Sequence, residues 1–258
     1  LEEKFYTDLS DSEKSLLQLA SVFNKPFPTD AIPRDLRGAR KGSMLREVAR
    51  GRFEIHASLR EFVYESMNAE ERAKWHSAAA DHYLRQGDLQ ERLLHLLVAG
   101  RRLEAEMLMA RSADDLLERG NIQRLWAALS TFEPTRPRYR VAALLLKARV
   151  AGAVGELDAA WSMLGTVVDE GNSEAQVHAL LEMGDIESKK GALEESLKTY
   201  RRALDRAEGL PGARAKALIG LGVVEGKLGN TEKAQELLRR GARDSMAVVD
   251  QKGMLMAH

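Results

Sequence analysis

The sequence contains no cysteine, which removes disulfide bonds and thiolate metal sites from consideration. It carries no net charge, because 39 basic residues match 39 acidic ones. Balanced charge leaves no global field to draw in nucleic acid or an anionic membrane, although a local patch is still open. No apolar run approaches the roughly 18 residues that span a bilayer, and no signal-peptide pattern opens the chain. Aromatic residues make up only 5% and prolines number 6, while alanine, leucine, glutamate and arginine abound. That mixture favours helices through propensity alone. The expectation is a mainly α, cytoplasmic protein with no membrane partner. At 258 residues it has room for about two domains. Starting at Leu1 rather than Met, it is expected to be a fragment of a longer protein.

The few prolines mark joints. Pro26, Pro28 and Pro33 cluster in one stretch, Pro134 and Pro137 in another, and Pro211 marks a third turn. Before the first cluster, Ser10 and Glu13 form a capping-box pattern ahead of an apolar stripe of Leu16, Leu17, Leu19, Ala20 and Phe23. Asp30–Leu36 reads as a second short helix. Ser43–Ala49 reads as a third, with Met44, Leu45 and Val48 inward. Arg52–Ile55 alternates Phe53 and Ile55 against Arg52 and Glu54, the period of a half-buried strand. A helix from Ala57 to Met67 then carries Leu59, Phe62 and Val63 on one face. Short helices followed by a strand are consistent with a winged-helix unit over residues 1–70.

From residue 71 the chain reads as helices punctuated by glycine. Residues 71–138 form a helical linker or atypical repeats, with turns at Gly87, Gly100 and Gly120 and with Trp75, Tyr83, Leu96 and Trp126 in the core. Residues 139–258 repeat. Gly184 and Gly222 are 38 residues apart, as are Gly191 and Gly229, Leu180 and Leu218, and Ala203 and Gly241. An earlier copy has Ala148 at the small position and Gly155 at the turn. The small residue lets paired helices approach, and the turn glycine ends the first helix in a left-handed cap. Asp158, Glu194 and Glu232 then begin the second helix, where the helix dipole favours negative charge.

These copies resemble tetratricopeptide repeats over roughly residues 141–258. Ala160, Ser196 and Ala234 take the packing position of the second helix, and Leu164, Tyr200 and Leu238 its large residue. The usual aromatic of the first helix is replaced by Ala151, Glu187 and Glu225. The terminal GMLMAH reads as the start of another first helix, so the parent protein is expected to carry more repeats. The order of parts is similar to the segment that follows the nucleotide-binding domain in signal-transduction ATPases with numerous domains, especially regulators like the maltose-regulon activator. That resemblance implies a neighbouring ATPase domain holding ATP or ADP, and a winged-helix histidine within a Met-His-Asp signature that senses the nucleotide. The matching residues are Ile55, His56 and Ala57, so His56 is kept and the acidic residue is not. Without the family, His56 is a helix-start residue hydrogen-bonded to nearby backbone.

Other chemistry finds little purchase. No GxxxxGK[ST] is present to cradle a triphosphate, so no cofactor is expected in this chain. His76, His82 and His95 lie near Asp81, Asp88 and Glu91 without metal-ligand spacing, and no GxSxG elbow occurs, so an enzyme is not expected. DNA binding is the rival reading. Arg34, Arg37, Arg40, Lys41, Arg46, Arg50 and Arg52 make a basic stretch, with Arg46 and Arg50 as the contacts to test, unless these charges simply solvate a surface. In the repeats, the register projects Arg149, His178, Asp185, Lys189, Lys216 and Lys227 onto the concave face. Mixed charge there suits a protein segment, a peptide or a small-molecule inducer, or is ordinary solvated charge. The favoured expectation is a non-catalytic sensor fragment that relays binding to an ATPase domain. A DNA-binding regulator and a plain interaction scaffold are the alternatives.

Overall fold

The computed structural model describes Tyr6 and residues 8–41, 45–118 and 121–256. The side chains of Arg40, Lys41 and residues 248–256 lie outside the described set, as do Ser43, Met44 and the turn expected at Gly120. The chain is mainly helical and divides into two compact units, Leu1–Gly120 and Asn121–His258.

Unit one begins with α1 (Asp11–Ser21), whose N-terminus is closed by the Ser10–Glu13 capping box. Strand β1 (Phe27–Pro28) follows, then 3-10 turns over Thr29–Ala31 and Arg34–Lys41, then β2 (Leu45–Ala49) and β3 (Arg52–Ile55). Two 3-10 turns therefore replace the α-helix expected over Asp30–Leu36. The third expected helix is corrected more sharply, because Leu45–Ala49 is a strand and Val48 is exposed. The strand wins because a partner exists: Arg46 pairs with Glu54 and Glu47 with Phe53, across a turn where Gly51 takes φ of 71°. Glu47 closes that turn by accepting the Gly51 N–H at 2.6 Å. The sheet order is β1-β3-β2, antiparallel throughout.

Helices α2 (Ala57–Ser66), α3 (Ala69–Gln86), α4 (Leu89–Val98), α5 (Arg102–Arg111) and α6 (Ala113–Glu118) complete the unit. One core joins α1, the sheet and α2 to Trp75 and Ala79 of α3. Gln18 ties α1 to α3 by accepting from the Trp75 indole at 3.0 Å and donating to Glu71 at 3.1 Å. Trp75 and Leu96 are buried, whereas Tyr83 is half-buried against Phe23. Beneath α3 lies a chain of polar rings. Tyr64 hydroxyl and His76 Nε2 are 3.1 Å apart, and His76 Nδ1 and His95 Nδ1 are 2.8 Å apart. The rings of Tyr83 and His95 stack at 5.3 Å. Burial, helped by nearby Arg72, lowers the His76 pKa to about 4. His82 is shifted the same way by burial.

Unit two is a run of paired helices: α7 (Ile122–Ser130), α8 (Pro137–Val154), α9 (Leu157–Glu170), α10 (Ser173–Lys190), α11 (Leu193–Arg206), α12 (Pro211–Lys227) and α13 (Thr231–Met256). Trp126 is half-buried against the core of α8 and α9. The repeat is visible in the backbone. Gly155, Gly191 and Gly229 all take φ between 81° and 93°, and the N–H of the residue after each glycine reaches back into the first helix. Glu156 bonds the Ala151 carbonyl, Ala192 that of Glu187, and Asn230 that of Glu225, all at 2.9 Å. A Cβ on Gly184 would lie 2.9 Å from the Tyr200 ring, and one on Gly222 would lie 2.8 Å from Leu238, so the small positions admit the large ones. Ser196, where its neighbours have alanine, is satisfied by donating to the Gly184 carbonyl at 2.8 Å. Glu225, in the usual aromatic position, takes Lys233 at 2.6 Å and Asn230 at 2.7 Å, which locks the α12–α13 turn. The expected new helix at the C-terminus is corrected: Gly253–Met256 continue α13, and Ala257 and His258 lie outside the described residues.

The histidine chain makes unit one acid-sensitive. An unfolded histidine titrates near 6.5, so between about pH 6.5 and about 4 the unfolded state binds the extra proton and stability falls as pH falls. The expected slope is at most about 1.4 kcal/mol per pH unit for His76. NMR titration should place the His76 midpoint near 4, and urea unfolding should show the matching loss. A midpoint in the ordinary range for histidine contradicts this account.

Candidate functional site

A cleft of about 300 Å³ opens in unit two along α10 and α12. Its lining comes from equivalent positions one repeat apart: His178 and Lys216, Leu181 and Ile219, Glu182 and Gly220, and Asp185 and Val223. Stacking α10 beside α12 is what aligns them. Tyr200 of α11 rises between the two helices and forms the floor. Its ring leaves no room on either side. A Cβ on Gly184 would sit 2.9 Å from it, and one on Gly220 only 2.4 Å away.

The floor is polar at one point. Tyr200 is 3% exposed, and its hydroxyl donates to Asp185. Burial and the Asp185 carboxylate both push the phenol pKa up, so it stays a donor. Half-buried Glu182 is raised by burial, an effect opposed by Arg149, Lys216 and Lys189. Arg149 of α8 lies 3.2 Å from it. Lys227 donates to the Ser188 hydroxyl at 2.8 Å on the cleft edge. Exposed Ile219 and Val223 stand one turn apart on α12 and add an apolar strip.

Of the six residues projected onto the concave face, the structure brings His178, Asp185 and Lys216 into the cleft lining. Arg149 and Lys227 touch lining residues, and Lys189 is close enough to bias Glu182. Sequence reasoning missed Glu182, Tyr200, Ile219, Gly220 and Val223 as site residues. The signal was there for two of them, since Ile219 and Val223 repeat at helical spacing on a helix whose buried face is already filled by Ala217, Leu221 and Val224.

The other expected sites are placed differently. His56 is exposed at the N-cap of α2 with no side-chain cap bond, and its Nδ1 lies 3.0 Å from the Ser58 hydroxyl rather than on backbone. In the basic stretch, Arg46 bonds Glu54 at 2.7 Å, Arg52 bonds the Pro26 carbonyl at 2.9 Å, and Arg37 bonds the Ile32 carbonyl at 3.2 Å. Arg34 and Arg50 are exposed. Arg46 stands on a strand instead of the expected helix, so the basic residues do not line one helical face. Among the described residues no cluster of three or more histidine or acidic side chains could hold a metal, and no helix is long and apolar enough to cross a membrane.

A tetratricopeptide-repeat family model matches residues 176–243, which covers the cleft. Such repeats generally mediate contacts between proteins. The structure is similar to a signal-transduction ATPase with numerous domains carrying a tetratricopeptide repeat sensor, from Pyrococcus horikoshii, at 18% identity and a TM-score of 0.47. The match covers 95% of this chain and 46% of that one, so this chain spans about half that protein's length. It is also similar to MamA from Desulfovibrio magneticus, at 19% identity and a TM-score of 0.50, covering 70% of this chain and 98% of that one. A further MamA structure matches at 12% identity and the same TM-score, covering 70% and 95%. The MamA likenesses show a shared fold. No curated protein matches the chain.

Alanine at Gly220 tests the floor. Overpacking costs about 1–3 kcal/mol, against about 1 kcal/mol of helix propensity regained. With the ring held from both sides, a net loss of about 1–2 kcal/mol is expected in urea unfolding. Adding Tyr200→Leu, which copies the leucine of the neighbouring repeats, should restore most of it. A Gly220→Ala single variant as stable as the parent chain contradicts the wedge.

Proposed function

We propose that the chain is a non-catalytic sensor portion of a larger regulator, in which the repeats bind a protein or peptide segment and unit one relays occupancy to an ATPase domain. The cleft carries this reading. Its solvent-facing Lys216, Asp185, Ile219 and Val223 offer charge and apolar surface side by side, while Tyr200 and the two glycines hold its floor rigid. A volume near 300 Å³ is at the small end for a site that engulfs a small molecule, and favours a few side chains of a partner over an enclosed inducer.

For unit one, the order helix, short strand, helical turns and hairpin, with β3 between β1 and β2, supports a winged-helix reading. The exposed ring of His56 is compatible with a contact to a nucleotide held by a neighbouring domain, as the sequence resemblance implies. DNA recognition has less support, because Arg46 is paired with Glu54 on a strand.

Selection of a random peptide library against the intact chain is expected to return binders whose affinity falls at least about tenfold with Val223→Asp, the scale of an interface anchor. The melting temperature should hold, since Val223 is 45% exposed. Binders indifferent to both Val223 and Ile219 count against the cleft. In a chain extended to include a nucleotide-binding domain, His56→Ala should weaken nucleotide binding. Unchanged nucleotide affinity refutes the relay and leaves the cleft untouched.

A further inference from the structure

The charges around the cleft do not balance. The Glu182 carboxylate sees three cations, Arg149, Lys216 and Lys189, and one other carboxylate, Asp185. Lys227 joins them at the edge through Ser188. Both carboxylates are already engaged, Glu182 with Arg149 and Asp185 as acceptor of the Tyr200 hydroxyl. Among the described residues, neither Lys189 nor Lys216 forms an ion pair within bonding distance, and both are exposed. His178, at the register position of Lys216 one repeat earlier, adds no negative charge. Four cations therefore surround the two carboxylates that line the cleft, and half-buried Glu187, near the Tyr200 phenol, is a third carboxylate beside them.

The apolar strip lies within this cationic frame. Ile219 is 36% and Val223 45% exposed, one helical turn apart on α12, the helix that also carries Lys216 and Lys227. Behind them Leu181 and Val224 are buried and line the same cleft. Gly220 leaves the backbone bare between Lys216 and Val223, and the Tyr200 ring fills the space where its side chain would be. An aliphatic side chain can rest on Ile219 and Val223 and be shielded from water on one side. A carboxylate next to it in sequence then reaches the unpaired lysines. A basic residue in the same place would have the exposed Asp185 carboxylate to pair with, but would face the four cations.

We propose that the occupant of this cleft is an acidic peptide segment in which an aliphatic side chain, seated on Ile219 and Val223, is flanked by aspartate or glutamate facing Lys216 and Lys189. This rests on the peptide-binding reading of the cleft and adds the chemistry of the partner. Electrostatic pairing at an exposed rim contributes modestly to affinity and more strongly to selection among partners. The aliphatic anchor supplies contact area and the lysines supply discrimination.

The peptides recovered by library selection against the intact chain decide the matter. The expected result is enrichment of leucine, isoleucine or methionine next to aspartate or glutamate, with binding that weakens as salt is raised. Reversing both lysines, Lys189→Glu with Lys216→Glu, should weaken the enriched acidic peptides by about fivefold or more and turn selection toward lysine and arginine. Both positions are exposed, so circular dichroism should match the parent chain, and Lys189→Gln with Lys216→Gln, which adds no negative charge beside Glu182, should also weaken the acidic peptides. Enrichment of basic or uncharged peptides that still depend on Val223 overturns this inference and leaves the cleft reading intact. Recovery of no peptide that depends on Val223 overturns both.

Discussion

The ring of Tyr200 occupies a slot that exists only because two helices lack side chains where they meet it. Gly184 belongs to the first helix of its own pair and Gly220 to the first helix of the next, so one side chain sets the spacing of three helices. Protein interiors are packed too densely for such an intrusion to be absorbed elsewhere. The cleft above the ring inherits its geometry from that constraint. Where the neighbouring repeats have Leu164 and Leu238, no hydroxyl is available. In this copy the hydroxyl is present and is spent on Asp185.

Polar groups elsewhere in unit two serve the same end of holding helices in register. Glu225 stands where an aromatic is usual, and three partners make its burial tolerable: Lys233 and Asn230 around the turn, with Arg201 at 3.7 Å from α11. Their proximity, led by the hydrogen bond from Lys233, holds its pKa below the ordinary carboxylate value, so it stays charged near neutral pH. Lys147 of α8 is likewise buried, with its ammonium on the Phe132 carbonyl and Glu133 at 3.3 Å, which ties α8 to the segment that follows α7. The scaffold's buried charges are occupied with structure. Among the described residues, Lys189 and Lys216 beside the cleft are exposed and form no ion pair.

Unit one divides its histidines by role. His76, His82 and His95 are buried among Phe23, Tyr64 and Tyr83, and burial favours the neutral ring of His76 and of His82. A His–His hydrogen bond between two Nδ1 atoms requires one of them to carry the proton and the other to accept it, an arrangement that a neutral pair satisfies. His56 lies outside this network, exposed at the start of α2. Of the histidines of unit one it is the exposed one.

Local chemistry made much of this legible in the sequence. The Ser10–Glu13 box, the glycines at 155, 191 and 229 and the 38-residue spacing each reflect short-range rules, so helix pairs could be located from one chain. The projected positions came from the same register, and His178, Asp185 and Lys216 line one cleft. What the sequence could not supply depended on partners distant along the chain. Leu45–Ala49 has an apolar spacing compatible with a helix and becomes a strand because β3 and the Gly51 turn offer it a ladder. The repeat register relates Glu182 to Gly220 but not to Tyr200, and only the stacking of α10, α11 and α12 makes the three of them walls and floor of one site. Periodicity determined which residues share a helix face. Tertiary packing decided which of those faces meet, and which charges remained unpaired once they had.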